Sequence, residues 1–347
     1  MRIRPSIVLL IAAGLLLPGR ALAQGYGGTV ADMLVRGEAL LSQGRTNEAI
    51  AQFQEARTLC PTQAEVVQAL QGEARCLLVE GKPLPAAGLF EEAATKFPDD
   101  PRVPDLLYAA GQSRQRGGEM QGAIDLYRRA LEAKPTADLV PNLRFQLARA
   151  LRLSARPTEA LAALEGFETA FPDHPLTPMV LYTRAIVNHD LDRLAESETI
   201  YRALVAKYPN TAAAVEAHFE LGSVLGGLGK RREAAGFYRK YVAMKPGAME
   251  AGAALERAGD LLLFRAPKES VELYGLAAVK AEANPKPNLP DLAVSRWLGM
   301  KRTIARTLAN LWIVGGAAVV VLAGIAWSAV RVIRRRRSGG TPDTLPA

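Results

Sequence analysis

Small and large apolar positions recur along this chain at one fixed interval. In 105–135, DLLYAAGQSRQRGGEMQGAIDLYRRALEAKP, Gly111 is followed by Gly118, Ala123, Tyr127, Ala130 and Pro135. This order predicts two antiparallel helices packed through small residues. Gly111 and Ala123 let the helices approach, Gly118 makes the turn, Tyr127 fills the space between neighbouring units, and Pro135 ends the second helix. A step of 37 residues in either direction finds every slot again. The first-helix small slot holds Gly37, Ala74, Gly111, Ala148, Ala185, Gly222 and Gly259. The turn slot holds Gly44, Gly81, Gly118, Ala155, Asp192 and Gly229. Ala49, Ala86, Ala123, Ala160, Ser197 and Ala234 occupy the second-helix small slot, and Phe53, Phe90, Tyr127, Leu164, Tyr201 and Tyr238 the large apolar one. Pro61, Pro98, Pro135, Pro172, Pro209 and Pro246 close the units. A seventh unit fits with one residue deleted, through Gly259, Ser270, Tyr274 and Ala277, with Pro285 closing it late.

A helical hairpin of this size cannot bury its apolar face alone, whereas stacked copies can. The order small, Gly, Ala, aromatic, Ala, Pro from about Val30 to Pro285 resembles the tetratricopeptide repeat. The expected fold is therefore all-α: a right-handed α-solenoid of about seven helix-turn-helix repeats, plus one C-terminal transmembrane helix. The period exceeds the family's usual ~34 residues, and the extra residues fall in connectors such as Phe97-Pro-Asp-Asp-Pro101 and Phe171-Pro-Asp-His-Pro175. Such connectors look like those of bacterial cell-envelope repeat proteins, including the Tol-Pal-associated periplasmic coordinator and the outer-membrane assembly lipoproteins.

The two ends carry different signals. Arg2 and Arg4, an apolar run from Ile7 to Leu17 and the exit Ala21-Leu22-Ala23 predict a signal peptide over 1–23. A flexible lead (24–29) and the repeats (30–285) follow, then a connector and juxtamembrane helix (286–306). From Thr307 to Val330 the chain has no charge, and Trp312 and Trp327 lie near the two ends of that run. A transmembrane helix is expected over 307–333, long enough for a hydrocarbon core of roughly 30 Å. The basic tail 334–347, with Arg334 to Arg337, is expected in the cytoplasm and the repeats in the periplasm, in a single-pass inner-membrane topology. Arg296, Lys301, Arg302 and Arg306 would lie on the outer flank, within reach of anionic headgroups.

The formal net charge of +8 points at first to nucleic acid. Its distribution excludes that reading: residues 24–285 carry 30 Lys and Arg against 33 Asp and Glu, and the basic excess sits at the ends. The two cysteines, Cys60 and Cys76, are expected most of a helix length apart, too far for a disulfide, and hence as free thiols. His174, His189 and His218 have no partners at metal-ligand spacing, and Gly226-Gly-Leu-Gly229 is a repeat turn with neither a preceding strand nor a following Lys. No catalytic constellation, metal site or cofactor motif is present in the sequence, so no enzyme activity and no cofactor are expected.

The remaining function is binding. Three residues before the first-helix small slot stand Leu34, Gln71, Tyr108, Phe145, Tyr182, Phe219 and Glu256. The four aromatics either pack against a neighbouring unit or form a ladder along the groove. The family resemblance implies that first helices line a concave groove, with this position facing it. Gln112, Gln115, Arg116, Arg149, Arg152 and His189 lie beside the ladder and have the chemistry to bind carboxylates or peptide carbonyls. The expected partners are other cell-envelope proteins or extended peptides, with the membrane held through the C-terminal helix. The alternative is a peptidoglycan- or polysaccharide-binding module, which would require exposed aromatic platforms.

Overall fold

A computed structural model describes residues 29–59, 62–283 and 298–313. Among these residues all regular structure is helical. Contacts divide the chain into two units, Met1–Leu139 and Val140–Ala347.

Unit 1 holds α1 (Val30–Ser42), α2 (Thr46–Leu59), α3 (Gln63–Val79), α4 (Pro83–Lys96), α5 (Val103–Arg116) and α6 (Met120–Glu132). Unit 2 holds α7 (Val140–Leu153), α8 (Pro157–Leu164), α9 (Phe167–Ala170), α10 (Thr177–Asp190), α11 (Leu194–Lys207), α12 (Ala212–Gly227), α13 (Arg231–Met244), α14 (Ala251–Leu262) and α15 (Pro267–Ala283). Residues 298–313 are helical as well. Helices start where the chain supplies a cap or a proline. Thr29 and Asp32 form a capping box, Thr62 and Thr211 accept from backbone amides of the first turn, and proline occupies the first turn of α4, α5, α8 and α10. Each first helix packs on the second helix of its hairpin, and that helix packs on the next first helix within its unit.

All six turn-slot residues have positive φ. Gly118 has φ 84°, and Ala155 and Asp192 hold the same left-handed turn at 55° and 58°. Two residues therefore adopt a backbone that glycine takes without strain.

The small and large slots meet inside each hairpin. A Cβ on Gly111 would lie 2.6 Å from the Tyr127 ring, and one on Gly259 would lie 2.7 Å from Tyr274. Phe53 lies against Gly37 of its own hairpin and also against Gly72 of the next. The sequence reading had Tyr127 filling the space between neighbouring units; its ring rests on Gly111 of its own hairpin, in the space that the missing side chain leaves. Ser197 and Ser270, which replace alanine in the second-helix small slot, donate to the carbonyls of Ala185 and Gly259 at 2.8 and 3.0 Å.

Two regions depart from the repeat. In the fourth hairpin the second helix breaks after Leu164, turns through Gly166 at φ 65°, and resumes as α9. The guanidinium of Arg144 takes up the carbonyls freed by the break. It donates to Ala163 O at 2.9 Å and to Glu165 O, and lies over the buried Phe167 ring at 5.7 Å. At the far end, helix 298–313 packs Leu298 and Ala305 into the apolar core of α13, α14 and α15. Lys301 Nζ donates to Glu256 at 2.7 Å and to Asp260 at 2.9 Å, and the Arg302 guanidinium lies against Gly275. Lys301 is thus occupied within the protein and is not available for headgroups as the sequence reading had it. Arg306 is exposed, and Arg296 lies outside the described residues.

No helix among the described residues is long and apolar enough to cross a membrane. The expected signal segment 1–23, the basic tail and residues 314–333 of the expected transmembrane helix lie outside the described residues; residues 307–313 are helical. Cys76 is a buried free thiol whose pKa burial pushes up to about 11, while Cys60 lies outside the described residues.

Candidate functional site

The candidate residues stand on first helices in both units. In unit 1, Tyr108, Gln112, Gln115 and Arg116 all project from α5. Tyr108 is half-buried, with its ring centroid 6.0 Å from that of Tyr127. Gln115 accepts from the Tyr127 hydroxyl at 3.0 Å, so it holds the core ring in place. Gln112 is half-buried and Arg116 exposed.

In unit 2 the candidates spread over α7, α10 and α12. Phe145 is only 6% exposed and belongs to the core, with Arg149 over its ring at 5.7 Å. Arg149 also donates to Gln146 at 3.1 Å. Tyr182 and Phe219 are half-buried on two helices that contact each other, α10 and α12. Each packs edge-on against the large-slot ring of its own hairpin: Tyr182 on Tyr201 at 5.9 Å, and Phe219 on Tyr238 at 5.4 Å. The rings are therefore not free platforms, and each also meets the next hairpin: Tyr182 packs against the core cluster that α12 shares, and Phe219 against the one that α14 shares. They are the outer layer of a two-ring stack whose inner member is core.

Charged groups surround this pair. Arg152 meets Asp190 at 3.5 Å, and Lys245 pairs with Glu216. His189 is half-buried beside them. Arg257, on α14, lies over the Phe219 ring at 5.0 Å. Glu220, half-buried on α12, has its carboxyl pKa raised by burial and by the nearby Glu216 and Asp190, against the opposing fields of His189 and Arg257. Tyr201 is fully buried, and its hydroxyl has no hydrogen-bond partner among the described residues. Burial, with Glu220 and Tyr182 close by, strongly disfavours its phenolate.

Sequence reasoning missed Glu220, Arg257 and Tyr201 as members of this face. The signal was present one residue after the ladder, where the 37-residue step gives Ala109, Gln146, Thr183, Glu220 and Arg257. Charge enters this slot only in the last two units, which a search for uniform ladders passes over. Among the described residues no cluster of His, Cys, Asp and Glu has the arrangement to hold a metal ion. His174 and His218 serve local backbone contacts, with Leu176 N and Ala214 O.

Two family models of the tetratricopeptide repeat match the chain, one over residues 104–219 and the other over 68–138. No curated protein matches it significantly in sequence. Among solved structures, a tetratricopeptide repeat protein from Parabacteroides merdae is 12% identical, covers 80% of this chain and 99% of its own, and superposes with a TM-score of 0.52. The C-terminal part of a repeat protein from Cytophaga hutchinsonii is 13% identical, covers 74% of this chain and 96% of its own, and gives 0.56. At these identities the likeness establishes the fold alone. Family models, slot pattern and hairpin geometry agree: residues 68–219 of this chain are tetratricopeptide repeats.

Proposed function

We propose that the chain is a membrane-anchored scaffold of the bacterial cell envelope that docks a partner protein or extended peptide on its first-helix face. Tetratricopeptide repeats bind peptides and other proteins and are typically non-catalytic, which sets the class of activity. The observation that carries the reading is the half-exposed pair Tyr182 and Phe219 on adjoining first helices, set among Arg152, His189, Glu220 and Arg257. Rings fixed from below by core rings offer apolar area without further loss of rotamer freedom, and the charges beside them give orientation. Polysaccharide binding fits less well, because the Phe219 ring already carries the Arg257 guanidinium and is no bare platform.

The signal segment 1–23, the apolar run of 307–333 and the arginines of 334–347 support a single inner-membrane pass with the repeats in the periplasm. A periplasm-active reporter fused after Pro285 is expected to be active, and the same reporter after Ser338 silent; the reverse pattern overturns this topology. For binding, His189→Ala with Arg152→Ala is expected to weaken capture of the native partner from envelope extracts. Glu196→Ala with Thr199→Ala on α11 is expected to leave it unchanged. Equal loss in both pairs, or loss only in the second, contradicts docking on first helices.

A further inference from the structure

The last hairpin turn differs from the six before it. Those six follow their left-handed position with a charged residue: Arg45, Lys82, Glu119, Arg156, Arg193 and Lys230. The turn from α14 to α15 instead reads Leu263-Phe264-Arg265. Leu263 and Ala266 pack on the core, and the amides of Arg265 and Ala266 both donate to Leu262 O, at 3.0 and 2.7 Å. The turn is therefore tight, and Phe264 at its tip is 65% exposed. Trp312 is the other exposed aromatic among the described residues. Both stand at one place. An open cleft of about 350 Å³ has Ala266 and Pro267, just after Phe264, on one side and Ala309, Trp312 and Ile313 on the other.

Helix 298–313 buries Leu298, Ala305 and Ala309 and leaves Leu311, Trp312 and Ile313 each more than half exposed. Together with Phe264 these side chains put apolar surface into water unless something covers it. The chain that follows indicates what does. No charge occurs from Thr307 to Val330. Counted back from Arg331 at about 1.5 Å per residue, a hydrocarbon core of about 30 Å takes about 20 residues and begins near Leu311. That puts Leu311, Trp312 and Ile313, and with them the cleft, at the outer boundary of the membrane pass proposed above. Cations stand beside the ring. Arg265 and Lys268 are exposed and have no ion pair among the described residues, whereas the neighbouring Glu269 is held by Arg239 at 3.3 Å. An aromatic ring flanked by cations is suited to a bilayer interface, with the ring below the headgroups and the charges among the phosphates.

Resting on the single-pass reading above, we propose that the α14–α15 turn is a second membrane contact. Phe264 enters the outer leaflet beside the transmembrane helix, and Arg265 and Lys268 meet anionic headgroups. Because helix 298–313 is packed on α13, α14 and α15, this contact fixes how the last hairpins of unit 2 stand on the bilayer.

The full-length chain in nanodiscs containing phosphatidylglycerol tests this. An environment-sensitive fluorescent residue replaces Val320, Phe264 or Arg193 singly, and lipid brominated in its acyl chains is the quencher. The probe at 320 reports the transmembrane helix, the one at 264 the proposed contact, and the one at 193 an exposed turn between α10 and α11. Quenching is expected at 320 and at 264 and not at 193. Arg265→Glu with Lys268→Glu, both on exposed side chains, is expected to reduce quenching at 264 by about half or more and to leave that at 320 unchanged. Quenching at 320 with none at 264 overturns the contact and leaves the membrane pass standing. Absence of quenching at 320 overturns both. Undiminished quenching at 264 in the charge-reversed variant contradicts the headgroup role of Arg265 and Lys268.

Discussion

Single residues in this protein are set by contacts one hairpin deep. Gly111 is small because Tyr127 occupies the space where its side chain would be, so Gly111→Val forces the ring away and is expected to cost about 2–3 kcal/mol, read by chemical unfolding. Ala155 shows the opposite case. It holds φ at 55°, where its Cβ meets the following carbonyl, and Ala155→Gly is expected to raise stability by about 1 kcal/mol despite glycine's entropy. A fall instead would mean that the turn is not left-handed in solution. Glu220 carries a signed pH effect. Its folded pKa is raised above the ordinary value of 4.5, so the native state binds its proton more tightly than the unfolded chain does. Stability from this group is then present at low pH and lost as pH rises from the unfolded value through the raised one. Glu220→Gln is expected to melt higher than wild type at neutral pH, with the gap closing as pH falls through the carboxylate range. An unchanged gap would show that Glu220 is solvated. These assignments also show what the sequence could carry. The Gly–aromatic complementarity was legible because it recurs at every period. The pairing of Tyr182 with Tyr201 was not, because it depends on which way a half-buried ring leans across two helices.

At the level of elements, periodicity predicted the hairpins, the turns and their small contacts, and it missed the interruption of the fourth second helix. Leu164 continues the large-slot series, so the pattern read through a break that lies immediately after it. The break is stabilised from outside the helix. Arg144 on α7 answers the carbonyls of Ala163 and Glu165, with burial lowering its pKa without discharging it. Arg144→Met leaves those carbonyls unanswered and is expected to cost about 2 kcal/mol, with early hydrogen exchange confined to 157–170. Uniform loss of protection would place the role of Arg144 elsewhere. Helix 298–313 was expected as a juxtamembrane element, yet Leu298, Ala305 and Lys301 bind it to α14 and the neighbouring core, so it closes the last hairpin as the next first helix would. Truncation before Asp291 is accordingly expected to expose that core and to lower the melting temperature of the exported fragment, while Lys301→Met in the full chain gives a smaller loss. A fragment as stable as the full chain would make the helix a passenger.

Across the whole molecule, sequence symmetry and functional asymmetry separate. Every hairpin repeats the same packing slots, but the exposed first-helix positions do not repeat: the ladder position passes from Tyr108 through a buried Phe145 to Tyr182 and Phe219, and ends at Glu256, which is tied to Lys301. Packing slots answer to a neighbour of fixed shape, so period alone reveals them. Surface slots answer to a partner that the chain does not contain, which is why the sequence offered an even ladder and the structure places two half-buried rings and the half-buried Glu220 on α10 and α12. The measurement that bears most directly on this account is a photo-crosslinking map in cells. A photoreactive residue is placed singly at 182 and 219 on the first helices, and at 196 and 199 on α11. Adducts to one common partner at 182 and 219, with none at 196 and 199, are the result predicted here; adducts at 196 and 199 alone would contradict docking on the first-helix face.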